Sequence, residues 1–271
     1  ELNLYRSRIT NSGLARLQGL RNLASLDIRY SRVTASGAAE IRAALPKCKV
    51  EFDGVARGQS SKSRLRPKGP AEADVIAWVR ALGGRVEMAG DRAVAVSLAG
   101  AGIADGDTPL LAPLAALESL DLSATELSDL GIGRLPELPK LKVLNLASTA
   151  VSDSGLAALA RFTGLTSLRL ANTAIDGTGL ARLQSLGQLA ELDLTACPVR
   201  NAGAEALSRL PALKRLVLAS TDINDSGLTH VARMDQLVAL NLNSTDTSDA
   251  GVESIARLTH LRELRQKFAR L

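Results

Sequence analysis

The chain has 271 residues, of which 46% are hydrophobic but only 2% aromatic, and it carries a net charge of +5. That length can bury a large core, yet leucine, alanine and valine must fill it, which suits thin stacked layers better than a ring-rich globular enzyme. No apolar run nears the roughly 18 residues that a membrane helix needs.

Glu1 already opens a Leu2-x-Leu4 strand, so the chain reads as a piece of a longer protein or a processed product. A cytoplasmic location is the default expectation. Residues 1–52 read as the end of a first repeat array with two repeats: Leu2/Leu4 with Ser7 and Ile9, then Leu26/Ile28 with Ser31 and Val33. The stretch from Ala44 to Val50 is expected to break the period. Tyr5 and Arg29 fall in one column, Arg6 and Tyr30 in the next, giving a small two-by-two patch of residue types enriched at binding hot spots. This patch is a candidate protein-binding surface; the plainer reading is that the two pairs pack on each other. Cys48 sits between Lys47 and Lys49, neighbours that favour a thiolate, although an inert thiol is the simpler expectation. With only one other cysteine, Cys197, the chain offers neither a disulfide framework nor a CxxC metal spacing.

Residues 53–70 are polar, bear Gly, Ser and Pro, and show no apolar periodicity, as a flexible linker does. Arg57, Lys62, Arg64, Arg66 and Lys68 make it basic, and residues 1–70 hold 14 Lys and Arg against 5 Asp and Glu. Such a tract is able to hold nucleic acid or anionic lipid electrostatically. It is short, however, lacks interleaved aromatics and matches no nucleic-acid motif, so nucleic acid is disfavoured as a partner.

From 71 to 98 the pattern predicts a helix and a hairpin. Val75, Ile76, Val79 and Leu82 have helical spacing, Pro70 suits a helix start and Gly83-Gly84 its end. Val86 and Met88, then Val94, Val96 and Leu98, alternate around a turn at Ala89–Arg92. A unit of this kind suits the end of a solenoid, whose terminal repeat must shield an open core. Trp78, the only tryptophan, is expected to seal that end.

Residues 93–271 then repeat one 24-residue phrase about seven times. Leucine pairs recur at 120/122, 144/146, 168/170, 192/194, 216/218 and 240/242, each followed by Thr125, Thr149, Thr173, Cys197, Thr221 or Thr245. The hydroxyl column suits a turn with exposed backbone groups, and Cys197 stands in register with it. A glycine opens each next segment: Gly131, Gly155, Gly179, Gly203, Gly227 and Gly251. Asp129, Asp153, Asp225 and Asp249, with Asn201 in register, precede short helices and read as N-caps. Gly177 interrupts the series, and no second carboxylate column accompanies it to make a calcium ladder.

A fixed period of this length with an L-x-x-L-x-L skeleton marks a leucine-rich solenoid. The extended phrase L-x-x-L-x-L-x-x-T-x-(I/V)-x-D-x-G-L resembles the repeats of bacterial GALA-type and planctomycete proteins, and is similar to those of F-box adaptors. The resemblance implies an α/β fold: a right-handed solenoid with a parallel concave sheet and short convex helices. It also implies a recognition module. GALA-type effectors carry an F-box before their repeats; none is visible here, so ubiquitin-ligase adaptor activity is not carried over.

Strand residues flanking the leucines face the concave side, about 4.8 Å apart from repeat to repeat. The central column holds the candidate partner-binding residues Asp121, Asn145, Arg169, Asp193 and Asn241, with Val217 and Arg265 in the same line. Opposite charges fall on adjacent repeats as Glu118–Lys142, Glu191–Arg215 and Arg169–Asp193, so the face neutralises much of its own charge. The next column, from Ser123 to Asn243, is small and smooth. No H-E-x-x-H, G-x-S-x-G or phosphate loop is present, and neither His230 nor His260 has a nucleophile placed beside it by spacing. The reading is a non-catalytic protein-interaction scaffold with no cofactor or metal and a protein partner. The alternatives are the recognition portion of a larger enzyme or ubiquitin-ligase-like effector, and an electrostatic tether through the linker.

Overall fold

The computed structural model describes residues 1–4, 7, 9, 11–29, 31, 33, 35–52 and 65–267. The chain divides into two compact units, Glu1–Arg64 and Leu65–Leu271. Tyr5, Arg6, Tyr30, Arg57, Lys62 and Arg64 lie outside the described residues.

In the first unit, β1 (Leu2–Asn3), α1 (Asn11–Ala15), β2 (Ser25–Asp27), α2 (Ala35–Ala44) and β3 (Lys49–Glu51) follow one another. The strands form a parallel sheet in the order β1-β2-β3. Leu2 pairs with Leu26 and Leu26 with Val50, a constant offset of one repeat. The expected break at 44–50 is therefore corrected: the helix ends at Ala44, and Val50, a β-branched residue at a leucine position, continues the ladder as a third strand. Leu14, Leu26, Ile28 and Ile41 form the core of this unit.

The second unit opens with α3 (Glu72–Ala81), β4 (Arg85–Ala89) and β5 (Arg92–Ser97). β4 and β5 pair antiparallel around Gly90, whose φ of +62° needs a residue without a Cβ penalty. Val75, Ile76, Trp78 and Val79 of α3 are buried in the same core as the repeats. The Trp78 indole N–H donates to the Leu65 carbonyl at 2.7 Å, giving the ring's polar edge a partner as it goes under. The strands β6 (Ser119–Asp121), β7 (Val143–Asn145), β8 (Ser167–Arg169), β9 (Glu191–Asp193), β10 (Arg215–Val217), β11 (Ala239–Asn241) and β12 (Glu263–Arg265) continue from β5 as one parallel ladder. Every leucine pairs with the leucine one period on, from Leu120↔Leu144 to Leu240↔Leu264. Leu120 through Leu240 are at most 2% exposed. On the other side run α4 (Asp129–Arg134), α5 (Asp153–Leu159), a 3-10 segment at Leu180–Ser185, α6 (Asn201–Leu207), α7 (Asp225–Val231) and α8 (Asp249–Ile255).

Two backbone devices turn the chain after each strand. The threonine hydroxyls donate to the carbonyl three residues back in their own turn, Thr125 to Leu122 at 2.6 Å and Thr149 to Leu146 at 2.7 Å. Cys197 departs from this: its thiol reaches the Leu170 carbonyl of the preceding repeat at 3.0 Å, beside Thr173. Just before the hydroxyl column, Ala124, Ser148, Asn172, Ala196, Ser220 and Ser244 all hold φ between 53° and 57°. That left-handed conformation aims each amide N–H at a carbonyl of the next repeat, as in Ser148 to Ala171 at 2.7 Å. Non-glycine residues are strained there. Ser148→Val is accordingly expected to lower stability by about 1–2 kcal/mol, and Ser148→Gly to leave it unchanged or slightly raised, in urea unfolding followed by circular dichroism.

The short helices correct the expected caps. Ser128, Ser152, Asn224 and Ser248 are the N-caps, each side-chain oxygen accepting the N–H two residues on. Asp129, Asp153 and Asp225, each one position after its cap, reach across to the next repeat instead. Asp129 takes the Ser152 N–H at 2.7 Å and its hydroxyl at 2.6 Å, and Asp105 holds Ser128 in the same way. The helix-opening glycines make room for these carboxylates: a Cβ on Gly155 would fall 2.5 Å from Asp129 Oδ1.

Candidate protein-interaction surface

The sheet face of the second unit displays the candidate column, and its members behave in two ways. Asp121, Asn145, Asp193 and Asn241 are half-buried, and each turns its Oδ1 back to accept the amide two residues on, at 2.9–3.1 Å. Asp193 also accepts the Thr195 hydroxyl at 2.6 Å. These four side chains hold the strand exit in shape. The signal was in the sequence, since Asp and Asn are the residues that favour such local bonds. Arg169 cannot do this; it is exposed, and its side chain makes no hydrogen bond or ion pair among the described residues.

Arg169 rises from small neighbours: Asn145 one strand back, Ser167 beside it on β8 and Ala171 beyond. Two of the expected charge pairs form. Lys142 Nζ lies 2.8 Å from Glu118, holding the Glu118 carboxyl below its ordinary range through that hydrogen bond. Arg215 lies 3.6 Å from Glu191 and also 3.2 Å from Glu263, two strands away, passing over the buried Ala239. The third expected pair is corrected: Arg169 and Asp193 are register neighbours but make no ion pair, and Asp193 Oδ1 accepts the Thr195 N–H and hydroxyl instead. A shallow depression of about 80 Å³ lies beside the Arg215 bridge, floored by Val217 and Ala239 and bounded by Asn241, Glu263 and Arg265.

A leucine-rich repeat family model matches residues 137–160, one full period. The chain folds as leucine-rich repeats. No sequence among the curated proteins matches it. Internalin C2 from Listeria monocytogenes is 21% identical over 73% of this chain and 77% of its own, with a TM-score of 0.51. Internalin F from the same organism is 18% identical over 97% and 72%, with a TM-score of 0.48. A plant peptide hormone receptor, RGFR1 in complex with RGF2, is 21% identical over 56% and 25%, with a TM-score of 0.41. The likeness to internalin C2 speaks for the fold alone, and the family match is to leucine-rich repeats in general, with no finer subfamily marked.

Outside the repeats' sheet face, the other candidates fare differently. Arg29 is committed to a bidentate pair with Asp27, at 2.9 and 2.7 Å, and lies 3.3 Å from Glu51. The hydrogen bonds from Arg29 hold the Asp27 carboxyl below its ordinary range. The patch around it contains Tyr5, Arg6 and Tyr30 and so falls outside the described residues. Of the linker cations, Arg66 is not a loose charge: its guanidinium lies 3.1 Å from Asp107, whose side chain is 5% exposed, and donates to the Gly106 carbonyl. This sets Arg66 apart from a flexible tract, because the Leu65 carbonyl is tied to Trp78 on α3 and Arg66 to Asp107. Lys68 has no such anchor among the described residues. Cys48 is half-buried against the first core with its thiol 3.9 Å from the Lys49 carbonyl. No group of three or more metal-ligating side chains occurs among the described residues, and no described helix is long and apolar enough to cross a membrane.

Proposed function

We propose that the chain is a non-catalytic interaction scaffold whose partner protein docks on the sheet face of residues 93–267, centred on Arg169. The observation that carries this reading is the contrast within one column. Four members turn their Oδ1 back onto their own backbone, whereas the Arg169 side chain stands exposed without a hydrogen bond or ion pair among the described residues. The parallel ladder fixes the place of its backbone, so a partner meets an exposed guanidinium at a set position, and arginine is a residue type enriched at hot spots. The neighbouring Glu191–Arg215–Glu263 bridge gives the face alternating sign, which favours register and specificity over raw affinity.

The test is capture from source-cell extract on immobilised chain at low and high salt, with nuclease present, followed by titration of the retained protein. Arg169→Glu is expected to weaken that protein's binding about tenfold or more, which is about 1.4 kcal/mol, while Lys68→Glu leaves it unchanged. Equal affinity for Arg169→Glu and the parent would overturn the reading, as would capture that nuclease abolishes.

A further inference from the structure

Charge is not spread evenly along the sheet face. Over β6–β9 acids outweigh cations, with Glu118, Asp121, Glu191 and Asp193 against Lys142 and Arg169. Over β10–β12 the balance reverses. Lys214, Arg215, Arg262, Arg265 and Lys267 are all exposed there, and Glu263 is the one acid beside them among the described residues of this face.

The register sorts these groups into two walls. Arg215 pairs with Ala239 and Ala239 with Glu263, while Val217 pairs with Asn241 and Asn241 with Arg265. Just before them, the Val238 N–H donates to the Lys214 carbonyl and the Arg262 N–H to the Val238 carbonyl, each at 2.8 Å. The middle strand β11 thus offers Val238, Ala239 and Asn241 and no charge, with cations one strand spacing away on either side, about 4.8 Å.

Arg215 crosses this lane to Glu263 at 3.2 Å, but both ends of that pair are about half exposed, and such a pair holds little energy against an incoming carboxylate. Beside it the depression floored by Val217 and Ala239 stays open. The side chains of Lys214, Arg262 and Arg265 make no hydrogen bond or ion pair among the described residues. Cations gathered without local acceptors repel one another and attract a partner of opposite sign. The lane between them is apolar and small, and no aromatic ring for stacking a base stands on β10–β12. These features favour a peptide over a nucleic acid.

We propose that this end of the sheet face takes an acidic peptide segment of the partner, laid along β11. Its carboxylates meet Lys214 and Arg262 at one end of the lane and Arg265 at the other, and a small apolar side chain between them enters the depression. The inference rests on the sheet face being the docking surface and adds the chemistry of what docks there.

Fluorescence anisotropy on the full chain tests it with a labelled peptide of four glutamates, one valine and four glutamates. Lys214→Glu and Arg265→Glu are each expected to weaken binding about fivefold or more. Arg134→Glu makes the same charge change at an exposed position on α4, and should stay within about twofold of the parent because salt screens it. All three side chains are exposed, so the variants should fold, which circular dichroism checks. Replacing the peptide's valine by serine should also weaken it several-fold. No peptide binding, equal effects of Arg134→Glu and Arg265→Glu, equal affinity for the serine peptide, or tighter binding of a single-stranded oligonucleotide of the same charge would each overturn the proposal. Failure here is distinct from failure of the docking surface itself. If Arg169→Glu weakens the captured protein while the peptide does not bind, the surface stands and this assignment falls.

Discussion

Leu168→Ala is expected to remove about 2–5 kcal/mol of stability and to lower hydrogen-exchange protection in both flanking repeats. Leu168 is 0% exposed on β8, whose backbone pairs with β7 on one side and β9 on the other. The short side chain leaves a cavity that three-residue strands cannot close without giving up the ladder on both sides. In a solenoid each repeat is stabilised by its two neighbours alone, so damage at one layer weakens two interfaces and leaves distant ones intact. Ser167→Ala is the control. Its hydroxyl makes a single 3.3 Å bond to Glu191 on the sheet face, so the change should cost no more than about 0.5 kcal/mol. Urea unfolding gives the stabilities and exchange gives the spread of the damage. Equal effects in the two variants would mean that the leucine does not face the core.

Gly155→Ala should destabilise although it improves helix propensity. In an exposed helix the exchange of glycine for alanine gains about 1 kcal/mol, and Gly155 lies within α5. A Cβ at this position meets Asp129 Oδ1 at 2.5 Å and Val151 Cγ1 at 3.2 Å. The carboxylate must withdraw, and Ser152 then loses the partners of both its N–H and its hydroxyl. Crowding in a packed site costs about 1–3 kcal/mol, so the net sign is destabilising. Gly133→Ala, in α4, is the matching opposite case: nothing lies within 4 Å of its Cβ, and the substitution should stabilise by about 0.5–1 kcal/mol. Thermal unfolding of the two variants should therefore shift in opposite directions from the parent.

The fold was legible because leucine spacing carries it: a side chain buried in every layer must recur at every layer, and the period can be counted directly. Two things at the first unit's end escaped counting. Val50 replaces a leucine, and Pro46 and Lys47 interrupt the apolar rhythm, yet the parallel ladder accepts any β-prone residue at the inward position. The acid column was visible, but its task was not. An aspartate at the start of a helix suits a cap from sequence alone, and only the stacking of repeats shows that its oxygens face the next serine rather than its own amides. The same holds for the candidate surface. Asp121 and Arg169 share a column, but Asp121 is drawn back to the Ser123 amide while a guanidinium has no acceptor with which to do so. Sequence spacing gives a side chain's column; the competing local hydrogen bonds decide whether it is offered to a partner.

The Arg215 bridge separates what the repeats share from what makes this chain individual. Nearly every other inter-repeat tie among the described residues joins one layer to the next, so duplication or loss of one 24-residue unit would leave ties of the same kind in place. Arg215 instead skips a layer to reach Glu263, over an alanine small enough to be crossed. Its span is set by the number of layers between the two residues. The stacked core tolerates a change in repeat count by slipping one whole unit, whereas the pattern of charge on the sheet face does not, and selection acting on that pattern would hold the count fixed.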